Sequence, residues 1–195
     1  MTPAQVAERV RAVLVADAGT SGARTSDAYG ETAVDVPRDG WVAAVVAVRD
    51  DPELALVLFD VLTAVDEQER GFDVVLRLWS PAGRHALVLR TRCPRADARV
   101  PTLTGLFAGA DWHERSVAEM FAIGFDGHPG LTPLLLPAGF SGSPLRKDFV
   151  LASRAARPWP GSVEPGQSAA DAAAATGRRR LQPPGVPAPG SWPVP

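Results

Sequence analysis

Four side chains able to bind a metal or move a proton, His113, Glu114, Glu119 and His128, fall in one short stretch that opens at Trp112. A zinc-protease helix needs a second histidine four residues after the first, and that position is Val117. With three His and one Cys in the chain, a zinc site would be built mostly from carboxylates, against the nitrogen and sulfur preference of the ion. Glu114 and Glu119 sit five apart, about 140° around a helix, so they do not converge on one substrate as an acid–base pair. Ser141 in "GFSGS" lacks the spacing of a nucleophile elbow, because glycine follows the serine directly and no strand pattern precedes it. No phosphate-cradling G-x-x-x-x-G-K or dinucleotide G-x-G-x-x-G occurs. Solvated helix charge is the preferred reading, and no catalytic, metal or cofactor-binding residue is expected in the chain. The remaining candidate is "PLRKDF", residues 144–149, where Leu145 and Phe149 flank Arg146, Lys147 and Asp148. Apolar anchors set among charges make an interface composition, although three adjacent charges also fit an ordinary solvated cluster.

Periodicity supplies the elements that must position these residues. Thr2-Pro3-Ala4-Gln5 has the form of a capping box, and Val6, Val10, Val13 and Leu14 recur on one face of a helix running to about Asp17. Residues 19–30 read as a loop, and "TAVDV" and "WVAAVVAV" read as two strands separated by the turn "PRDG". Asp51-Pro52 reads as the start of a helix carrying Leu54, Val57, Leu58, Val61, Leu62 and Val65 as its apolar stripe. "FDVVLRLW" and "HALVLRTR", joined by "SPAGR", form an antiparallel hairpin. "PTLTGLFAGA" reads as a short helix leading into the helix "DWHERSVAEMF", with Val117, Met120 and Phe121 inward and Glu114, Arg115 and Glu119 near the surface. The sum is an α+β fold, helices packed on a mostly antiparallel sheet. Beyond Phe121 the Gly and Pro spacing excludes a long helix or a central strand, yet Phe125, Leu131, Leu134, Leu135, Leu136 and Phe140 need a surface to cover. The expected organisation is a core domain at 1–121, an irregular extended C-terminal arm at 122–161 and a Pro/Ala-rich, flexible tail at 162–195.

The whole chain narrows the classes. A formal net charge of −2, with few aromatics and none interleaved with basic residues, argues against nucleic acid. Cys93, the only cysteine, cannot hold an iron–sulfur cluster alone. The longest apolar run, residues 41–48, is far short of the roughly 20 residues that cross a bilayer, so membrane association is expected to come through partners.

The run from His113 to Phe149 closely resembles the signature of the 30 kDa-type subunit, also called the C-type subunit, of respiratory complex I, the NADH:quinone oxidoreductase. The matching positions include Glu114, Arg115, Glu119, Phe121, Phe125, His128, Pro129, Leu145, Arg146, Lys147 and Asp148, and the resemblance extends over about residues 36–160. The chain departs from the pattern at Ser116, at Glu119 where Asp is usual, at Ala122 where Gly is usual, at Thr132-Pro133, at Phe140 and at Ser143. The resemblance implies a non-catalytic peripheral-arm subunit of a proton-translocating complex, a hetero-oligomer member peripheral to the cytoplasmic face of the cell membrane. It implies no cofactor in this chain, with FMN, iron–sulfur clusters and quinone held by partner subunits, and docking on subunits of the D, B and I types. Two rivals stay open: the equivalent scaffold in a complex fed by ferredoxin or the deazaflavin F420 or in a membrane-bound nickel–iron hydrogenase, and a stand-alone hydrolase or metalloenzyme using His113, Glu114 or His128.

Overall fold

The computed structural model of the chain describes residues 1–16, 23–28, 30–137 and 140–149. Helix α1 (Pro3–Ala16) opens on the expected capping box, in which Thr2 N–H donates to Gln5 Oε1 at 2.8 Å and Gln5 N–H to Thr2 Oγ1 at 3.4 Å. It buries Val6, Val10, Val13 and Leu14. Strands β1 (Arg24–Ala28) and β2 (Glu31–Asp35) pair antiparallel, so part of the stretch read as a loop is the edge of the sheet.

Two expectations are exchanged in the next segment. "WVAAVVAV" belongs to helix α2 (Trp41–Asp50), whose Trp41, Ala44, Val45 and Val48 share one buried face at the i, i+3, i+4, i+7 spacing. Its valines suggested a strand, but tertiary burial of the face outweighs that weak propensity. Residues 51–65, expected as a helix, instead form a turn and then strand β3 (Leu58–Asp66). Asp51 does cap the turn, its Oδ1 accepting from the N–H groups of Glu53 and Leu54 at 3.1 and 2.9 Å. Ala55 then takes a left-handed φ of 44°, which ends any helix there.

Strands β4 (Phe72–Ser80) and β5 (His85–Cys93) form the expected antiparallel hairpin, and the sheet order is β1-β2-β5-β4-β3 with β2 and β5 parallel. The α+β class therefore holds. Along β4 the side chains alternate, Phe72, Val74, Leu76 and Leu78 buried in the core and Asp73, Val75, Arg77 and Trp79 half-exposed. On that half-exposed face Arg77 pairs with Glu31 and Asp60, Arg90 with Asp35, and Arg92 with Asp73.

Of residues 101–110, expected as a short helix, Pro101 ends strand β6 (Arg99–Pro101), 102–109 form turns and irregular chain, and Ala110 opens the next helix. Helix α3 (Ala110–Phe121) follows, packs against β3, and leads into strand β7 (Gly124–Asp126), which pairs parallel with β6. The expected continuation of the arm over 150–161 and the tail at 162–195 lie outside the described residues.

Gly71 immediately precedes β4 at φ +96°, and a Cβ there would run into the Cys93 carbonyl oxygen on the neighbouring strand. Gly71→Ala is expected to lose about 2 kcal/mol or more from strain and from displaced strand pairing, read as a lower midpoint in denaturant unfolding.

Candidate functional site

Ala110, Glu114, Val117 and Phe121 lie on the buried face of α3, so the apolar stripe of the helix passes through a glutamate. Glu114 was expected near the surface; it is fully buried. Its Oε1 accepts the Leu103 N–H at 2.6 Å and its Oε2 the Thr102 hydroxyl at 2.5 Å, both from the turns after β6. Burial pushes its carboxyl above the usual carboxylate range, and those two bonds counter it only in part. The side chain of His128 is buried beside it. The His128 Nδ1 accepts the Gly130 N–H at 3.0 Å, which places the ring proton on Nε2, 3.4 Å from Asp111 Oδ1 and 4.0 Å from Glu114 Oε2. His113 is not part of this group. It contacts the main chain of Leu62 and the Phe59 ring on the edge strand β3.

The next two polar positions of α3 hold the chain that follows it. Arg115 donates to the carbonyls of Thr132 and Pro133 at 3.0 and 3.1 Å. Glu119 accepts the N–H groups of Leu134, Leu135 and Leu136 at 3.3, 2.8 and 2.9 Å. A cation reads carbonyls and an anion reads amides, so a segment without a ladder has its main chain satisfied. Desolvation pushes the Glu119 carboxyl up, but the three N–H groups outweigh it and leave the group below the usual range. Because Arg115 bonds main-chain oxygens, the unusual Thr132-Pro133 side chains leave this contact intact. The Met120 carbonyl adds a bond from Leu145 N–H at 3.0 Å. Ala122, standing where the resembled pattern has glycine, caps α3 in the left-handed region at φ 58°.

"PLRKDF" is turned partly toward its own core. Buried Asp66 at the end of β3 accepts Lys147 N–H at 2.8 Å, Gln68 N–H at 2.8 Å, and Arg95 Nη2 with both oxygens at 2.7 and 2.9 Å. The guanidiniums of Arg95 and Arg146 lie 4.8 and 5.3 Å from the centre of the Phe72 ring, and Arg146 is bidentate to Asp148 at 3.0 Å. Desolvation raises the Asp66 carboxyl, and the Lys147 and Gln68 amides with Arg95 more than reverse it.

Apolar side chains of the same segment divide. Phe125 is in the core, whereas Leu131, Leu135, Phe140 and Leu145 stand 41%, 60%, 44% and 56% exposed, and Pro129 is exposed as well. Trp112 on α3 is 67% exposed and was not singled out from the sequence; a tryptophan on the polar side of an amphipathic helix was the available signal.

Asp66→Asn leaves Arg95 short of its carboxylate and is expected to destabilise the chain by about 3 kcal/mol. The depressed Asp66 group contributes stability above the ordinary carboxylate range, lost as pH falls through its folded value, so the deficit of the variant should shrink in acid when unfolding is followed against pH. Ala122→Gly removes a left-handed Cβ and is expected to raise stability by about 0.5–1 kcal/mol in the same assay.

The model of the family described as "Respiratory-chain NADH dehydrogenase, 30 Kd subunit" matches residues 34–155. The C-type subunit of the NADH-quinone oxidoreductase of Caulobacter sp. (strain K31) is 42% identical over 136 residues, 68% of this chain and 63% of that protein, so the chain spans less than two thirds of its relative's length. The corresponding C-type subunit of Roseiflexus castenholzii is 40% identical over 129 residues, 65% of this chain and 74% of that protein. A chain in the structure of the membrane-bound sulfane sulfur reductase, an archaeal respiratory membrane complex, shares the fold at a TM-score of 0.53 and 24% identity, over 64% of this chain and 72% of that one. With the signature residues gathered along α3 and the turn after β7, and the family match covering more than half of its length, the chain belongs to the respiratory-chain NADH dehydrogenase 30 kDa subunit family.

Proposed function

We propose that this chain is a non-catalytic docking subunit of a membrane-associated NADH:quinone oxidoreductase, a hetero-oligomer in which the segment after α3 lies against the quinone-site and cluster-bearing subunits. One observation carries the reading. The backbone of residues 132–136 is held by Arg115 and Glu119, while Leu135 within it and Leu131 just before it are exposed. Large apolar groups fixed in an exposed row are suited to burial against a partner, as in the apolar core of an obligate interface. Arg146 and Asp148 satisfy each other within the chain, so the apolar groups, more than these charges, supply the contact surface. Among the described residues no helix is long and apolar enough to cross a membrane, which is compatible with attachment through other subunits at the cytoplasmic face. FMN, iron–sulfur clusters and quinone belong, in this reading, to those partners.

The fold also occurs in a chain of a complex named for sulfane sulfur reduction, so fold alone does not choose the electron donor. The test is purification from membranes in mild detergent through a tag on this chain, with the co-purified subunits identified and NADH:quinone reduction assayed. Recovery of quinone-site and cluster-bearing subunits with NADH activity is expected. Recovery of those subunits without NADH activity would move the chain to a complex with another donor, and recovery alone would reject the docking reading. Leu135→Asp, at an exposed position, should change the stability of the isolated chain by less than about 0.5 kcal/mol and yet reduce the yield of intact complex severalfold.

A further inference from the structure

The two glutamates of α3 hold the following segment in opposite charge states. Glu119 meets three main-chain N–H groups, and charge-assisted bonds of that kind need the ionised carboxylate. Glu114 is fully buried, with the buried His128 side chain 4.0 Å away. The groups that face it are Asp111 from its own helix, the Thr102 hydroxyl and Leu103 N–H from the turns after β6, and His128 from the turn after β7. Gly130 N–H occupies the His128 Nδ1, and the Arg115 guanidinium lies against Asp111 at 3.6 Å and on the 132–133 carbonyls. An ionised Glu114 is then a buried charge with no guanidinium or ammonium paired to it and with His128 Nε2 beyond hydrogen-bond reach at 4.0 Å, a costly state. The neutral acid keeps the Leu103 bond, and the Thr102 hydroxyl can donate to it or accept from it.

We propose that Glu114 under His128, together with the Glu119 clamp, forms a proton-operated latch: residues 127–136 lie closed on α3 while Glu119 is ionised and Glu114 is neutral, and loosen when either group changes its charge. The two titrations oppose each other. The Glu119 half is at full strength above the ordinary carboxylate range and is lost as pH falls through the depressed value. The Glu114 half is at full strength below that range and is lost as pH rises through the raised value. The segment is thus held closed in a window bounded by one glutamate on each side. The latch is built from contacts within the chain and is independent of what the segment meets.

Hydrogen exchange on the full chain tests it, from about pH 2.5 to about pH 9 and corrected for intrinsic exchange. Gly130 N–H reports the Glu114 half and the amides of Leu134 to Leu136 report the Glu119 half, with Leu76 and Leu89 in the sheet as the reference for global unfolding. Opening relative to the sheet is expected to rise with pH at Gly130 and, because residues 127–136 loosen together, at Leu134 to Leu136 as well, and to rise in acid at Leu134 to Leu136, each by up to about tenfold per pH unit for one linked proton. Glu114→Gln should abolish the alkaline rise, and Glu119→Gln the acid rise. If Glu114→Gln lowers sheet protection, His128→Ala serves instead: it admits water to Glu114 in both forms and should remove the alkaline rise at Leu134 to Leu136. An alkaline rise as steep in Glu114→Gln or His128→Ala as in the parent chain, or an acid rise that survives Glu119→Gln, would overturn the latch.

Discussion

A stretch of chain broken by glycine and proline has no ladder for its N–H and C=O groups, and those shut away from water are costly to leave unpaired. That constraint shapes the described residues beyond Phe121. The solution is a helix used as a strip of side-chain partners: Arg115 for two carbonyls, Glu119 for three amides, and the Met120 carbonyl for one more. Asp66, at the far end of β3, does the same for Lys147 and adds Arg95. With the main chain fixed this way, the leucines need not turn inward to hold the segment in place. They remain available to something else, and the functional reading follows from that availability.

This division of labour explains why the charged signature is mostly internal. Glu114, Arg115, Glu119 and the Arg146–Asp148 pair all find partners in their own chain. Phe72 ties the two ends together, since it packs edge-on to Phe121 of α3 while Arg95 and Arg146 lie over its ring. The 144–149 segment is therefore registered against the same β4 residue that anchors the helix end. A docking surface built on that base is preorganised, which lowers the ordering cost of association.

Sequence patterns revealed the β4–β5 hairpin, α1 and α3 because each shows a clean period with proper boundary residues. They failed where one segment satisfied two periods. Residues 54–65 show helical spacing, yet β3 is an edge strand whose apolar residues fall on both faces, Leu62 and Ala64 buried and Leu58 and Val65 exposed. Residues 41–48 are rich in valine and are nonetheless a helix, because Trp41, Ala44, Val45 and Val48 already fit one buried face. Glu114 was legible in principle, since a helical stripe through Ala110, Val117 and Phe121 must include it. What could not be read locally were its partners, Thr102 and Leu103, which lie before the helix and reach it only through the β6–β7 pairing. The clamp on residues 132–136 was hidden for a similar reason, because it uses main-chain atoms that carry no sequence identity.

In the proposed complex Leu135 faces another subunit while its backbone is held by Glu119. The most direct measurement places a photoreactive amino acid at position 135 of the full chain, irradiates native membranes, and identifies what is covalently captured. Adducts with a quinone-site or cluster-bearing subunit of the respiratory complex are predicted. Intact complex recovered with the probe at 135 and no intersubunit adduct would contradict the claim.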